Sequence, residues 1–255
     1  MNARSLALAA TVLLAQVPVL GAAEIKVISA GGIRPPLEEL IPQFERASGH
    51  KVSVRYAGGP AVKREIEEGA AFDVAVSISN AIDDLLKAGK LVAASRSDVA
   101  RAGVGVAVRA GAPKPDVASS EAFKRALLSA KSVAYAKDGT AGMHFNGVLQ
   151  RLGISKEMEP KLKHTLAADP ANGVVPLLRR GEAEIGVASI ATLFASGVDF
   201  AGPLPAELQA YIHFATAVGA AAKEPQAGAA LIKFITAPAA AAAYKAKSME
   251  PAPQR

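Results

Sequence analysis

Residues 27–77 read VISAGGIRPPLEELIPQFERASGHKVSVRYAGGPAVKREIEEGAAFDVAVS. Short apolar runs rich in β-branched residues alternate here with segments whose apolar positions recur every three to four residues. With the flanking residues included, EIKVISA (24–30), KVSVRYA (51–57) and FDVAVSI (72–78) predict three strands. PLEELIPQFERASG (36–49) predicts an amphipathic helix with Leu37, Leu40, Ile41 and Phe44 on one face, ending at Gly49. VKREIEEG (62–69) predicts a second helix stopped by Gly69, and AIDDLLKAGKL (81–91) a third closed near Gly89. This alternation predicts an α/β fold with a mainly parallel sheet covered by helices on both faces.

In such sheets ligands settle outside the carboxyl ends of the strands. Two glycine pairs fall at that edge, Gly31-Gly32 after the first strand and Gly58-Gly59 after the second. With no Cβ in the way, each pair reads as a tight strand-to-helix turn or as backbone bared to a ligand. In the second case amide groups at a helix start meet an anion. Arg34 stands beside the first pair, ahead of Pro35-Pro36. It reads equally as a guanidinium aimed at a carboxylate or oxyanion and as a surface residue before the prolines.

The remaining chain continues the alternation. GVGVAVRAGAP (103–113) ends in a Gly/Pro-rich change of region. EAFKRALLSA (121–130) predicts a helix, SVAYA (132–136) a strand, and KDGTAGMHFNGVLQRLG (137–153) a turn opening a helix. NGVVPLLRRGEAEIGVASI (172–190) predicts turn, helix, turn and strand, and AYIHFATAVGA (210–220) a strand returning toward the first unit. PQAGAALIKFITAPAAAAAYKAKS (225–248) predicts helix with a break around Pro238, its alanines being good helix formers. No repeat of fixed period emerges.

Composition narrows the function classes. The 255 residues are 51% hydrophobic and 20% charged, enough for a sizeable core. Cysteine is absent, which removes disulfides, zinc-thiolate sites and cysteine nucleophiles. Tryptophan is absent and aromatics make up 5%, so base-stacking platforms are not expected. The net charge of +6 favours anionic ligands by steering without identifying one. The densest basic run, KEMEPKLK (156–163), is interleaved with acids and reads as a solvated face, so nucleic-acid binding is not expected. At the start, one basic residue in Met1–Arg4 precedes the apolar LALAATVLLAQVPVL (6–20) and the small Gly21-Ala22-Ala23. That pattern predicts a signal peptide over 1–23, removed after Ala23, and an exported, periplasmic mature chain.

On this order of elements the chain resembles the type II periplasmic solute-binding proteins of ABC transporters, and most closely their molybdate-binding family. The segments that carry the resemblance are residues 27–77, DGTAGMHF (138–145), GEAEIGVASIATL (181–193) and FITAPAAAAAYKAKSMEP (234–251). The resemblance implies two α/β lobes joined by crossing strands, residues 24–104 with 212–255 and residues 105–211. A small anion, molybdate- or tungstate-like, would be clamped in the interlobe cleft. It further implies a monomer without cofactor or metal, delivering its ligand to a membrane permease and ATPase.

The resemblance also places ligand contacts: Gly31 and Gly32 in the first loop, Gly58 and Gly59 in the second, Thr140-Ala141-Gly142 and Asn172-Gly173-Val174 at two later helix starts, and Ser189 near the last. The chain departs from the family where serines are usual, since the first loop has Gly31-Gly32 and the second Gly58-Gly59-Pro60. Ser189 stands near where a tyrosine is often found. Missing hydroxyl donors weaken the specific claim for molybdate, since each acceptor left without a donor is costly, although backbone amides and helix N-termini can still supply hydrogen bonds. Sulfate and small organic acids therefore stay open beside molybdate and tungstate, with Arg34 as the compensating charge. Ser29, Ser77 and Ser79 lie near strand ends and read as helix caps before ligand donors. Tyr56 and His144 read as either cleft or packing residues.

No enzyme signature is present in the sequence. His50, His144, His164 and His213 form no metal-ligand spacing, and neither a GxSxG elbow nor a GxxxxGK[ST] loop occurs. Glu38-Glu39, Glu67-Glu68 and Asp83-Asp84 lie on predicted amphipathic helices and read as solvated faces. Tyr56, Tyr135, Tyr211 and Tyr244 are too scattered to suggest a ferric site. The expected function is capture without catalysis. A sensory ligand-binding module and an exported enzyme on the same fold are the alternatives.

Overall fold

The computed structural model describes residues 21–253 apart from 168, 195 and 196, so the apolar run of the predicted leader lies outside the described residues. The first strand, β1 (Glu24–Ala30), pairs in parallel on one side with β2 (Lys51–Ala57) and on the other with β3 (Val74–Ile78). Helix α1 (Arg34–Ser48) begins two residues before the predicted start, because Pro35 and Pro36 sit in a first turn whose N–H groups need no helical partner. It ends at Gly49, whose N–H donates to the Glu45 carbonyl at 2.9 Å. Helix α2 (Gly59–Glu67) starts early in the same way around Pro60, and α3 (Ser79–Lys87) follows β3 directly.

Strand β4 (Ser97–Arg109) is thirteen residues long and buried without a break from Ala102 to Val108. The sequence pattern starts this region at residue 103. The run of small and β-branched residues from Val99 to Val108 instead continues as one strand with neighbours on both sides. After it come α4 (Ser120–Ser129), β5 (Val133–Ala136), α5 (Thr140–Arg151), the one-turn α6 (Ser155–Met158) and β6 (Leu162–Thr165). Then follow α7 (Val174–Arg180), β7 (Ile185–Ser189), α8 (Ile190–Leu193) and β8 (Val198–Pro203). The chain closes with β9 (Tyr211–Val218), α9 (Pro225–Ile235), α10 (Ala241–Lys245) and β10 (Glu250–Pro251). The predicted break at Pro238 is present as a 3-10 turn between the last two helices.

The strands run in the order β2-β1-β3-β9-β4-β7-β5-β6, with β8 and β10 added on β4. Pairs at the two ends of this path are parallel, and every antiparallel pair includes β4 or β9. Helices cover both faces. Val62, Ile66, Ile82 and Leu85 of α2 and α3 pack on Ile28 and Ala75. On the opposite face Leu37, Leu40 and Phe44 of α1 join Ile25, Val27 and Leu231. Toward the other end of the path, Phe145 and Val148 of α5 meet Val133 and Phe123, while Leu177 and Leu178 of α7 meet Ala134 and Ala107. Each such Val, Ile, Leu or Phe side chain contributes roughly 1.5–3 kcal/mol by leaving water.

Asp73 is the one charged side chain buried among the described residues, and its carboxylate is fully occupied. It accepts backbone N–H groups from Lys26 at 2.8 Å, Lys223 at 2.7 Å and Glu224 at 3.0 Å, tying β1 to the turn before α9. No single described helix is long and apolar enough to cross a membrane.

This topology brings distant segments to one place. The carboxyl ends of β1, β5 and β7 open into the turns that start α1, α5 and α8. Because β9 is antiparallel to β3, its early residue Phe214 lies opposite Ile78 at the end of β3.

Candidate functional site

These strand ends surround a cavity of about 290 Å³. One wall is the turn after β1, with Gly31 and Gly32, then Arg34 and Pro35 at the start of α1 and Gly59 at the start of α2. The facing wall comes from α5 through Thr140, Ala141 and Gly142, and from α7 through Gly173, Val174, Val175 and Arg179. Ser189 closes the end of β7, and Ile212 and Phe214 of β9 form an apolar floor. Of the ligand contacts placed from the sequence, Gly58 and Asn172 are missing from this lining.

Gly58 has a different task. A Cβ there would lie 2.3 Å from the Asp138 carbonyl oxygen, so the turn after β2 sits directly against the turn after β5. Gly31, though on the wall, has the same constraint: its Cβ would fall 2.7 Å from the Ala167 carbonyl oxygen. Asp138 in turn accepts the Ala167 N–H at 2.8 Å, tying the turn after β5 to the turn after β6.

Arg34 is fixed at the cavity wall. Its Nε lies 2.7 Å from Glu38 Oε1 one helical turn along, and its guanidinium carbon stands 5.0 Å from the centre of the Tyr56 ring. Both features leave the planar group oriented while its side chain remains 34% exposed. Glu38 also lines the cavity, whereas Tyr56 lies behind Arg34 outside it. Burial, reinforced by the Glu38 charge and opposed by Arg34, pushes the Tyr56 phenol up to about 12.

Asp169 completes the charged lining. Its carboxylate accepts the Ala171 and Asn172 N–H groups, each at 2.9 Å, and shapes the turn before α7. Those bonds, Asn172 first, hold the carboxyl below the usual carboxylate range. The group is committed to backbone and well ionised at neutral pH.

The serines do not act as caps. Ser29 donates to the Ala30 carbonyl at 3.3 Å and Ser77 to the Gly59 carbonyl at 3.3 Å, both buried. Ser79 starts α3 without making a capping bond. None of the three lines the cavity. Ser189 does, and its hydroxyl donates to the Gly32 carbonyl at 3.4 Å, joining the end of β7 to the turn after β1. His144 points away, its Nε2 within 2.7 Å of the Leu208 carbonyl.

Arg179 and Phe214 were not singled out in the sequence, yet both line the cavity. Arg179 shares a helix face with Val175, four residues earlier, but neither was marked by the local pattern. Phe214 had no local signal, because the pairing of β9 with β3 alone brings it there. Among the described residues no group of three or more His, Cys, Asp or Glu is placed to hold a metal ion. The charged lining is Arg34 and Arg179 together with Glu38 and Asp169, beside the hydrocarbon of Ile212 and Phe214.

Comparison with known proteins agrees with this architecture. A family model described as bacterial extracellular solute-binding protein matches residues 25–250. An aconitate isomerase from Pseudomonas sp is 32% identical over 256 aligned positions, covering 98% of this chain and 95% of that protein. The molybdate-binding protein ModA of Azotobacter vinelandii is 27% identical over 231 positions, covering 88% and 89%. The solved periplasmic molybdate-binding protein of Azotobacter vinelandii superposes with a TM-score of 0.73 at 20% identity, covering 90% of this chain and all of that one.

Proposed function

The chain belongs to the bacterial extracellular solute-binding proteins, and on that footing we propose that it is an exported binding protein for a small organic anion. The observation that carries this is the make-up of the cavity, with Arg34 on its wall and Ile212 and Phe214 as its floor. Its volume of about 290 Å³ sits at the low edge of the roughly 300–1,000 Å³ usual for small-molecule sites. A bare tetrahedral oxyanion wants a donor at every oxygen, and glycine stands at both loop positions where the molybdate-binding family usually has serine. An organic acid divides its needs differently, carboxylate to guanidinium and amides, carbon skeleton to the apolar floor.

In this reading the ligand contacts are Gly31, Gly32, Arg34 and Gly59 on one wall, with Thr140, Ala141, Gly142, Gly173, Val174 and Ser189 opposite. Residues 24–104 with 212–255 form one lobe and 105–211 the other, and hinge closure traps the ligand. The leader is removed on export to the periplasm, where the mature chain acts as a monomer. The loaded form then engages a permease and ATPase of the ABC type.

The test is a melting-temperature panel on the mature protein with molybdate, tungstate, sulfate and small carboxylates. A ligand that binds only the folded state raises the melting temperature. Shifts with carboxylates support the proposal. Shifts with molybdate or tungstate alone replace it with the oxyanion function of the 27% identical relative, and no shift at all removes the binding reading.

A second reading is favoured by the 32% identical relative named aconitate isomerase: the cleft turns over the acid it binds. Interconverting the cis and trans acids by proton transfer breaks a methylene C–H bond and spreads the electron pair over the alkene. Rotation and return of the proton to carbon complete the step. Of the two carboxylates on the cavity, Glu38 is the one suited to carry that proton, Asp169 being bound by backbone N–H groups. Incubating cis-aconitate with the protein in heavy water decides the matter by proton NMR. Deuterated trans product, abolished by Glu38→Gln, makes the protein an isomerase; unchanged cis acid leaves it a binding protein.

A further inference from the structure

We propose that the hydroxyls of Thr140 and Thr192 read a hydroxyl group on the ligand, so that the cleft selects a hydroxylated monocarboxylate over a di- or tricarboxylate. The inference rests on the organic-anion reading above and narrows it to a substrate class.

Both threonines line the cavity, and neither hydroxyl has a hydrogen-bond partner among the described residues. They come from corresponding places in the fold, Thr140 opening α5 after β5 and Thr192 in the short α8 after β7. The third hydroxyl on the lining, that of Ser189, already donates to the Gly32 carbonyl. Gly59 keeps the first of them open: a Cβ there would come 2.9 Å from Thr140 Oγ1 and cover it. Both threonines are partly exposed, so a ligand that displaces water from them must supply the bonds it removes.

Charge separates the ligand classes. The charged side chains on the lining are Arg34 and Arg179 with Glu38 and Asp169, and their formal charges cancel. Arg34 is moreover paired with Glu38 at 2.7 Å. One carboxylate can be met by the amides that the organic-anion reading assigns to it. Each further carboxylate leaves water with no opposite charge to receive it, which is costly. A carboxylate also only accepts hydrogen bonds, whereas a hydroxyl donates and accepts as the threonines do. A neutral hydroxyl therefore satisfies these side chains without adding charge.

Isothermal titration of the mature protein with propionate, glycerate and succinate tests this. Glycerate is propionate with a hydroxyl on each of its other two carbons. It should bind roughly tenfold or more tighter than propionate, and succinate should bind more weakly than glycerate. Thr140→Val and Thr192→Val keep the shape and remove the hydroxyl. Each should narrow the glycerate-to-propionate ratio roughly three- to tenfold. Should a valine variant fail to fold by circular dichroism, the unaltered protein still decides, because glycerate must exceed both propionate and succinate there. Propionate or succinate binding as tightly as glycerate, or an unchanged ratio in either folded valine variant, overturns the inference while leaving the organic-anion reading in place. Molybdate or sulfate bound with no carboxylate bound, or no binding at all, overturns both.

Discussion

Gly58 and Asp138 meet between the turns after β2 and β5 so closely that a methyl group on Gly58 would lie 2.3 Å from the Asp138 carbonyl oxygen. The obstacle is backbone, so a side chain cannot simply swing aside, and the turns after β2 and β5 must separate to admit the methyl. Overpacking of this kind costs typically 1–3 kcal/mol, charged against the apposed arrangement alone if the two sides part as rigid bodies. Gly58→Ala should therefore weaken ligand binding roughly ten- to a hundredfold with the melting temperature of the empty protein little changed. A fall in melting temperature with affinity intact would show that the contact serves stability rather than closure.

Gly32 gives a prediction inside the cavity. A Cβ there would come 3.1 Å from Phe214 Cζ, and the branched carbons of valine would extend into the space beside the ring. Phe214 is fully buried in the core and has little freedom to yield. Gly32→Val should abolish binding while far-ultraviolet circular dichroism stays native. Equal affinity in the folded variant would remove the turn after β1 from the ligand site.

Asp73 should matter to stability and not to binding. Its three backbone N–H bonds join β1 to the turn before α9, and it is 3% exposed. Asp73→Ala leaves three buried or half-buried donors without an acceptor, which should cost about 3–5 kcal/mol in urea unfolding. Ligand affinity, measured well below the new midpoint, should be unchanged because the residue lies outside the cavity. A variant as stable as the parent would mean that water or relaxation satisfies those donors.

The part of the fold that was legible in the sequence is the part held by local pattern. The alternation over residues 24–91 announces β1 to α3, with every helix start two or three residues early: α1 and α2 accommodate Pro35, Pro36 and Pro60 in their first turns, and α3 begins at Ser79 directly after β3. Strands β6 and β8 went unpredicted: β6 is four residues long, LKHT, and largely exposed, while β8 has no alternation of buried and exposed positions and ends in Gly-Pro. Their strand character comes from pairing with β5 and β4. The site divides the same way. Gly31, Arg34 and Thr140 were readable because each follows a predicted strand. Phe214 was not, since its place depends on β9 crossing back beside β3. Gly58 was assigned to the ligand because sequence distinguishes neither a bared amide from a close backbone contact nor the residue that makes that contact.

Tyr56 links the site to alkaline pH. Burial first, and the Glu38 charge second, raise its phenol to about 12, against an ordinary value near 10. A raised pKa means that the folded protein holds the proton more tightly than the unfolded chain does. The resulting stabilisation is fully present below about pH 10 and is lost as pH rises from there through about 12. Ionisation would also place a phenolate beneath the Arg34 guanidinium, 5.0 Å away, and compete with a bound carboxylate for that charge. Tyr56→Phe should therefore flatten the alkaline fall in stability relative to the parent and retain ligand affinity further into that range. Ultraviolet titration of phenolate absorbance, parent minus variant, should show the missing tyrosine as a late-ionising one. A difference curve centred near 10 would mean that Tyr56 is solvated, and that Arg34 is oriented by Glu38 alone.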